Sequence, residues 1–163
     1  MDNKLDNPIV SVCIATYNSP KVLDRLLESI ENQTFRDYEI IVTDDSDNDE
    51  TCNLCKSYES VKYYRNNKRL GPTNNNNRAI ALASGKYIKI MHHDDWFTRN
   101  DSLQKYVDAF EQIPEGDFVF AGCDNEQKDG SFQQCVTTQI DLKRLSFSWK
   151  SVLYGAVIGA PSV

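Results

Sequence analysis

Short apolar runs alternate along the chain with stretches whose apolar positions recur at helical spacing, and the alternation predicts strands and helices in turn. Residues 9–15 form a short β-branched apolar run, as expected of a strand buried on both faces of a parallel sheet. The run ends at Thr16-Tyr17-Asn18. Ser19 then suits an N-cap and Pro20 a first helical turn, and Val22, Leu23, Leu26, Leu27 and Ile30 recur at helical spacing. Residues 38–43 predict a second buried strand, which breaks into the acidic stretch 44–49.

The alternation continues. A short helix is expected over 50–58 and a strand over 61–64, followed by a loop over 65–72. Four asparagines at 74–77 are poor helix interior by propensity, yet Ala79, Ile80, Leu82 and Ala83 continue a helical pattern. Thr73 or Asn74 is its expected cap and Gly85 its expected end. Residues 86–91 predict a fourth strand ending at His92-His93-Asp94-Asp95-Trp96, and 100–113 a further helix. Strands over 117–122 and 133–138, joined around Lys128-Asp129-Gly130-Ser131, predict an antiparallel hairpin. The apolar stretch 153–163 has no polar finish, so the expected organisation is one domain, 1–163, incomplete at its C-terminus.

Length and charge narrow the function. The 163 residues match one domain, and a net charge of −6 without a basic run argues against nucleic acid as a partner. An acidic chain that handles a phosphate ligand needs a cation, helix N-termini or a few placed basic residues. The N-terminus has no signal-like basic and apolar regions, and no apolar run spans a bilayer, so the expected location is cytoplasmic. The five cysteines are an odd, scattered set that reads as reduced thiols. Cys52-x-x-Cys55 lacks the second pair that a zinc site needs.

Two acidic clusters follow predicted parallel strands, Asp44-Asp45 and Asp94-Asp95. Ligands of open α/β sheets bind outside the carboxyl ends of the strands, so both clusters and Tyr17 are expected on one crevice. Several carboxylates on one rim repel one another, and a bound Mg²⁺ or Mn²⁺ would offset this while bridging to a diphosphate. His92 and His93 point to opposite sides of a strand end, so at most one faces the crevice. A metal hydrolase on 92–95 is disfavoured, because adjacent residues seldom converge on one ion and no other histidine is present. Arg69 is the basic residue picked for phosphates, and Asn77 for hydrogen-bonding support near a ribose or the Asp44-Asp45 loop.

In combination, Val10 to Asn18, Gln33-Thr-Phe35, Tyr38 to Ser46, Asn77-Arg-Ala-Ile80, Ala83 to Ile88 and His93-Asp-Asp-Trp96 resemble family 2 glycosyltransferases. The resemblance runs from Pro8 to about residue 122 and implies the GT-A fold: an α/β, Rossmann-like, mostly parallel sheet flanked by helices. It implies nucleobase contact by Ala15, Tyr17 and Asp45. It also implies ribose and metal contact at the fourth strand's end, where His92 replaces the usual first aspartate and Asp94 and Asp95 follow. The expected nucleotide-binding set is therefore Ala15, Tyr17, Asp45, Asn77, Arg69 and Asp94, and the expected metal set Asp95, Asp94 and His92.

The implied activity is inverting transfer from a nucleotide-sugar, a UDP-sugar first, to a hydroxyl of a carbohydrate or lipid-linked acceptor in surface polysaccharide synthesis. The general base is expected beyond Val163, which leaves this chain a donor-binding fragment with little activity. Contact with the inner face of the membrane is likewise assigned beyond it. A sugar nucleotidyltransferase is the alternative enzyme, opposed by the absence of glycine from Thr16-Tyr17-Asn18-Ser19-Pro20. A non-catalytic binding module is the other alternative.

Overall fold

A computed structural model describes residues 7–113, 115–116, 119 and 121–135. The chain divides into two compact units, Met1–Gln104 and Lys105–Val163.

In the first unit, β1 (Val10–Thr16), β2 (Tyr38–Asp44), β3 (Val61–Arg65) and β4 (Tyr87–His92) form one sheet in the order β3-β2-β1-β4. All three pairings are parallel, with Thr16 opposite Asp44, Ala15 opposite His92 and Asp44 opposite Arg65. The strands therefore end level, and their exit loops share one rim. β1 and β2 are buried along almost their whole length, as their continuous apolar runs require. β4 alternates instead, with Ile88 and Ile90 each 45% exposed.

Helix α1 (Pro20–Glu31) packs Leu23, Leu26, Leu27 and Ile30 fully out of water. Each contributes roughly 1.5–3 kcal/mol by burial. Val22, expected in the same stripe, is 42% exposed because the buried positions centre on 23, 26, 27 and 30. Ser19 is the N-cap residue but does not cap through its side chain; its hydroxyl donates to the Tyr17 carbonyl at 2.9 Å.

Helix α2 is shorter than expected, Glu50–Cys55. Helix α3 (Pro72–Ala81) starts before the expected cap at 73 or 74. Gly71 takes the N-cap position with φ +79°, a conformation suited to glycine, and Pro72 opens the first turn with its φ already helical. The asparagine run is compatible with this helix because its members divide the work. Asn74 and Asn76 donate to the carbonyls of Leu70 and Pro72, one turn back, while Asn75 is buried.

The helix stops before Gly85, whose role is close packing. A Cβ there would lie 2.7 Å from the Ser11 backbone nitrogen and 2.9 Å from the Val10 carbonyl carbon. Cys13, Ile41 and Ala79 form a core cluster between sheet and α3, with Tyr64 and Ala83 against it. Burial pushes the Cys13 thiol up to about 12, with the Glu39 charge adding to the effect, so it acts as a small apolar group. Helix α4 (Ser102–Gln112) starts two residues later than expected, and the Asn100 carbonyl instead accepts the Thr34 N–H at 2.7 Å.

In the second unit, β5 (Cys123–Glu126) and β6 (Phe132–Cys135) pair antiparallel. The turn between them falls where expected. Gly130 has φ +80°, and Asp129 accepts from the Ser131 N–H and hydroxyl. The expected strand over 117–122 lies partly outside the described residues, and the described pairing begins at Cys123. The stretches 136–138 and 153–163 lie outside them.

Candidate functional site

The rim at the strand ends carries most of the polar side chains singled out from the sequence. Asp44 is fully buried, and its carboxylate accepts from the Ser46 N–H at 2.8 Å, the Ser46 hydroxyl at 2.5 Å and the Tyr63 hydroxyl at 2.7 Å. Burial, reinforced by that bond to Asp44, pushes the Tyr63 phenol up, so it stays a donor. The expectation that Asp44 faces a crevice is thereby corrected: its oxygens are used internally.

Asp45, 7% exposed, serves the neighbouring loop. Oδ1 accepts from Asn66 Nδ2 at 2.6 Å and the Leu70 N–H at 3.0 Å, and Oδ2 from the N–H groups of Leu70 and Gly71 at 3.1 and 2.9 Å. Asn66 is fixed in turn by Asn75 Oδ1 at 2.8 Å and by Arg78, which donates to its side-chain oxygen. The carboxylate expected to meet a nucleobase thus organises the loop 66–71 as it stands.

That loop delivers Arg69 to Tyr17. The Arg69 guanidinium lies 4.1 Å from the Tyr17 ring centroid, a cation–π contact between β1's exit and the β3–α3 loop. Arg69, expected at phosphates, is thus placed against an aromatic face. The backbone just after Tyr17 is tied to the exit loop of β2. Asn18, at φ +47°, takes the Ser46 hydroxyl as acceptor for its N–H and receives the Asp47 N–H. Ala15 is half-buried beside them, opposite His92 on β4.

Asn75 is the buried amide that sequence reasoning missed in favour of Asn77, which is exposed on α3. Its Nδ2 donates to the carbonyls of Thr16 at 3.2 Å and Thr43 at 3.1 Å, tying α3 to the ends of β1 and β2. Thr43 Oγ1 donates back to its backbone carbonyl at 3.0 Å. The signal in the sequence was the asparagine run itself, four polar residues where a helix needs at least one inward side.

At the end of β4, Asp95 is 7% exposed and its N–H donates to the His92 carbonyl at 3.1 Å, closing a turn. Its Oδ2 is buried with no hydrogen-bond partner, as is Thr16 Oγ1 at the end of adjacent β1. Burial pushes the Asp95 carboxyl above the ordinary aspartate value; Asp94 adds to this, and the charges of His92 and Lys89 oppose it. Lys89 is half-buried, and its ammonium is pushed down by burial against the pull of Asp95. His92 is exposed, and His93 and Asp94 are half-buried.

Among the described residues, no three His, Cys, Asp or Glu side chains come together as a metal cluster, so His92, Asp94 and Asp95 do not form one by themselves. Mg²⁺ and Mn²⁺ sites often use one or two carboxylates, with waters and substrate phosphates completing the shell. The orphaned buried oxygen of Asp95 fits that kind of site, with Asp94 adjacent.

A model of glycosyl transferase family 2 matches residues 11–153. The chain belongs to glycosyl transferase family 2. An uncharacterised family relative in Methanocaldococcus jannaschii is 40% identical over 127 residues, covering 74% of this chain and 43% of the relative. The GalNAc(5)-diNAcBac-PP-undecaprenol beta-1,3-glucosyltransferase of Campylobacter jejuni is 39% identical over 93 residues, covering 54% of this chain and 30% of that enzyme. Among solved structures, S. aureus TarS 1-349 in complex with UDP-GlcNAc superposes with a TM-score of 0.59 at 26% identity, over 63% of this chain and 31% of that one. The chain thus spans less than half the length of these relatives. The expected GT-A architecture, a mostly parallel flanked sheet with a separate antiparallel pair, is the one observed. Among the described residues no helix is long and apolar enough to cross a membrane.

Proposed function

We propose that this chain is the donor-binding part of an inverting glycosyltransferase that takes a UDP-sugar with Mg²⁺ or Mn²⁺ and acts in surface polysaccharide synthesis. The observation that carries this reading is the pairing, at the ends of adjacent strands, of the Tyr17–Arg69 contact with the unpartnered carboxylate oxygen of Asp95. An aromatic–guanidinium surface suits a flat base, and a buried oxygen without a donor suits a cation carrying a diphosphate. Binding of UDP-GlcNAc by TarS and the polyprenyl-diphosphate-linked acceptor in the Campylobacter enzyme's name support the same substrate classes.

In this reading the uracil lies along Ala15 and Tyr17, with Arg69 bordering it. Asp45 holds the loop that presents Arg69 and meets the base N–H by exchanging one of its loop donors. Asp94 and Asn77 are assigned to the ribose, and Asp95, with Asp94 and His92, to the cation. When bound, the cation supplies positive charge that stabilises the departing diphosphate. An acceptor hydroxyl then attacks the anomeric carbon on the face opposite the diphosphate, which inverts it. None of the described residues is assigned as the general base. Inner-membrane contact and a carbohydrate or lipid-linked acceptor are assigned to the whole protein, because the chain spans 43% of its archaeal relative.

Calorimetric titration of UDP into the chain, with Mn²⁺ and again with chelator, tests the reading. Saturable binding that tightens with Mn²⁺ is the expected result, and absence of heat in both titrations overturns it.

A further inference from the structure

The carboxylates at the end of β4 sit on a turn whose two flanks are secured very differently. Upstream, the ladder with β1 holds the backbone as far as His92. Downstream, residues 97–101 are irregular and have no ladder, so their polar groups depend on bonds from elsewhere. Most of those bonds come from the C-terminal end of α1 and the residues just after it. Ser29 Oγ accepts the Phe97 N–H at 3.0 Å. Gln33 Nε2 donates to the Arg99 carbonyl at 2.8 Å and to the Ser29 carbonyl at 3.1 Å, while its Oε1 accepts the Leu103 N–H at 3.0 Å. Thr34 donates to the Asn100 carbonyl through its N–H and hydroxyl.

Apolar packing does not do this job alone. Between α1 and the strip 96–100 lies a cleft of about 290 Å³, bordered by Arg25, Glu28, Asn32 and Trp96, with the Arg25 guanidinium 3.3 Å from the Trp96 ring centroid. Across it the strip is fixed mainly by hydrogen bonds, and Gln33, 1% exposed, supplies two of those that span from one element to the other. Only residues 93–96 separate the clamped strip from the end of the β1–β4 ladder. A shift of the strip is therefore passed to Asp94 and Asp95 over one turn of backbone.

We infer that Gln33, assisted by Ser29, is a positioning residue: it sets where the Asp94–Asp95 turn presents its carboxylates to a cation-bound diphosphate. The inference rests on the donor-site reading above. It explains why a glutamine is buried just beyond the C-terminal end of α1, next to the helix's apolar stripe. A leucine of similar size would leave the Leu103 N–H without its side-chain acceptor and the Arg99 carbonyl with only the local Ser102 hydroxyl, and so free the strip to relax.

The test compares wild type, Gln33→Leu, Ser29→Ala and a control, Glu39→Gln, which disturbs the opposite end of the sheet. Amide hydrogen exchange is measured without metal, and UDP affinity is measured with Mn²⁺ and with chelator. In Gln33→Leu the amides of 91–103 are expected to exchange at least tenfold faster, with those of 38–46 within twofold of wild type. The Mn²⁺-dependent gain in UDP affinity falls at least fivefold, while the metal-free affinity stays within twofold. Ser29→Ala follows in the same direction with a smaller effect, and covers the case in which Gln33→Leu does not fold. Glu39→Gln loses thermal stability and keeps the Mn²⁺ gain.

Unchanged exchange over 91–103 overturns the inference, as does a faster-exchanging turn that retains the full Mn²⁺ gain. A loss of both affinities in proportion to stability reduces Gln33 to a purely structural role and overturns it too. If wild type shows no UDP binding at all, the donor-site reading fails; the clamp is then judged on exchange alone.

Discussion

Asp45 Oδ2 accepts the Gly71 N–H at 2.9 Å, which fastens the end of β2 to the residue that opens α3. The bond makes the second aspartate of the Asp44-Asp45 pair the organiser of the loop that carries Arg69 to Tyr17. Replacing it with asparagine swaps one acceptor oxygen for a donor facing backbone N–H groups. Asp45→Asn is therefore expected to cost about 1–3 kcal/mol of stability, the range for leaving a buried polar group unpaired. UDP affinity should fall at least tenfold even without metal. Urea melts together with metal-free calorimetry check both, and an unchanged metal-free affinity would detach Asp45 from the base site.

Asn75 and Asn77 make a second, contrasting pair. Truncating Asn75 to alanine strips the Thr16 and Thr43 carbonyls and the Asn66 amide of a partner at once, so a loss of about 1–3 kcal/mol is expected. Asn77→Ala, on the exposed side of the same helix, should change stability by no more than about 0.5 kcal/mol. Thermal melts of the two variants side by side decide this. In the donor-site reading Asn77→Ala still weakens UDP binding, which separates a ligand contact from a structural one.

How much of this was legible beforehand follows from the kind of signal each residue carries. The runs that became β1 and β2, and the stripe Leu23, Leu26, Leu27 and Ile30, could be read because periodicity is a local property and burial follows it. The resemblance to family 2 located Tyr17, Asp45 and the 92–96 turn by position. It could not show that Asp44 and Asp45 spend their oxygens on Ser46, Tyr63, Asn66, Leu70 and Gly71, because those bonds join segments up to 26 residues apart. Asn75 and Lys89 escaped for the same reason. A polar residue inside a helix or strand reads as exposed until its distant partner is known. The start of α3 was misplaced because Thr73 and Asn74 are good caps by residue type, while Gly71-Pro72 is the better cap by backbone geometry.

At the opposite end of the sheet, Glu39 gives the protein a defined acid response. Burial by itself pushes its carboxyl up, but hydrogen bonds from Lys62, Ser11 and the N–H and hydroxyl of Ser84 outweigh it and hold it at about 2, against an ordinary value of 4.5. A carboxyl depressed in the folded state stabilises the fold fully above its unfolded value. That contribution is lost as pH falls from about 4.5 through about 2. Wild type is thus expected to exceed Glu39→Gln by roughly 2 kcal/mol at neutral pH, with the gap closing between pH 5 and 2. Denaturant melts at several pH values measure it, and a gap independent of pH would show that packing, not the charge, sets the difference.

Asp95 should show the reverse balance between stability and function. A carboxylate oxygen buried without a partner destabilises the metal-free fold, because the loss of water around the charge outweighs the backbone hydrogen bond at His92 and the nearby positive charges. Asp95→Asn removes that charge with little change of shape. The metal-free variant is therefore expected to melt at the same temperature as wild type or a few degrees above it, while the Mn²⁺-dependent gain in UDP affinity falls at least tenfold. Asp94→Asn, at a half-buried position, should leave stability unchanged and reduce the gain less. Scanning calorimetry without metal, paired with UDP titration in Mn²⁺, reads both quantities on the same samples. A destabilised Asp95→Asn that keeps its Mn²⁺ response would mean that the buried oxygen serves the fold, and the cation would then have to be sought at Asp94.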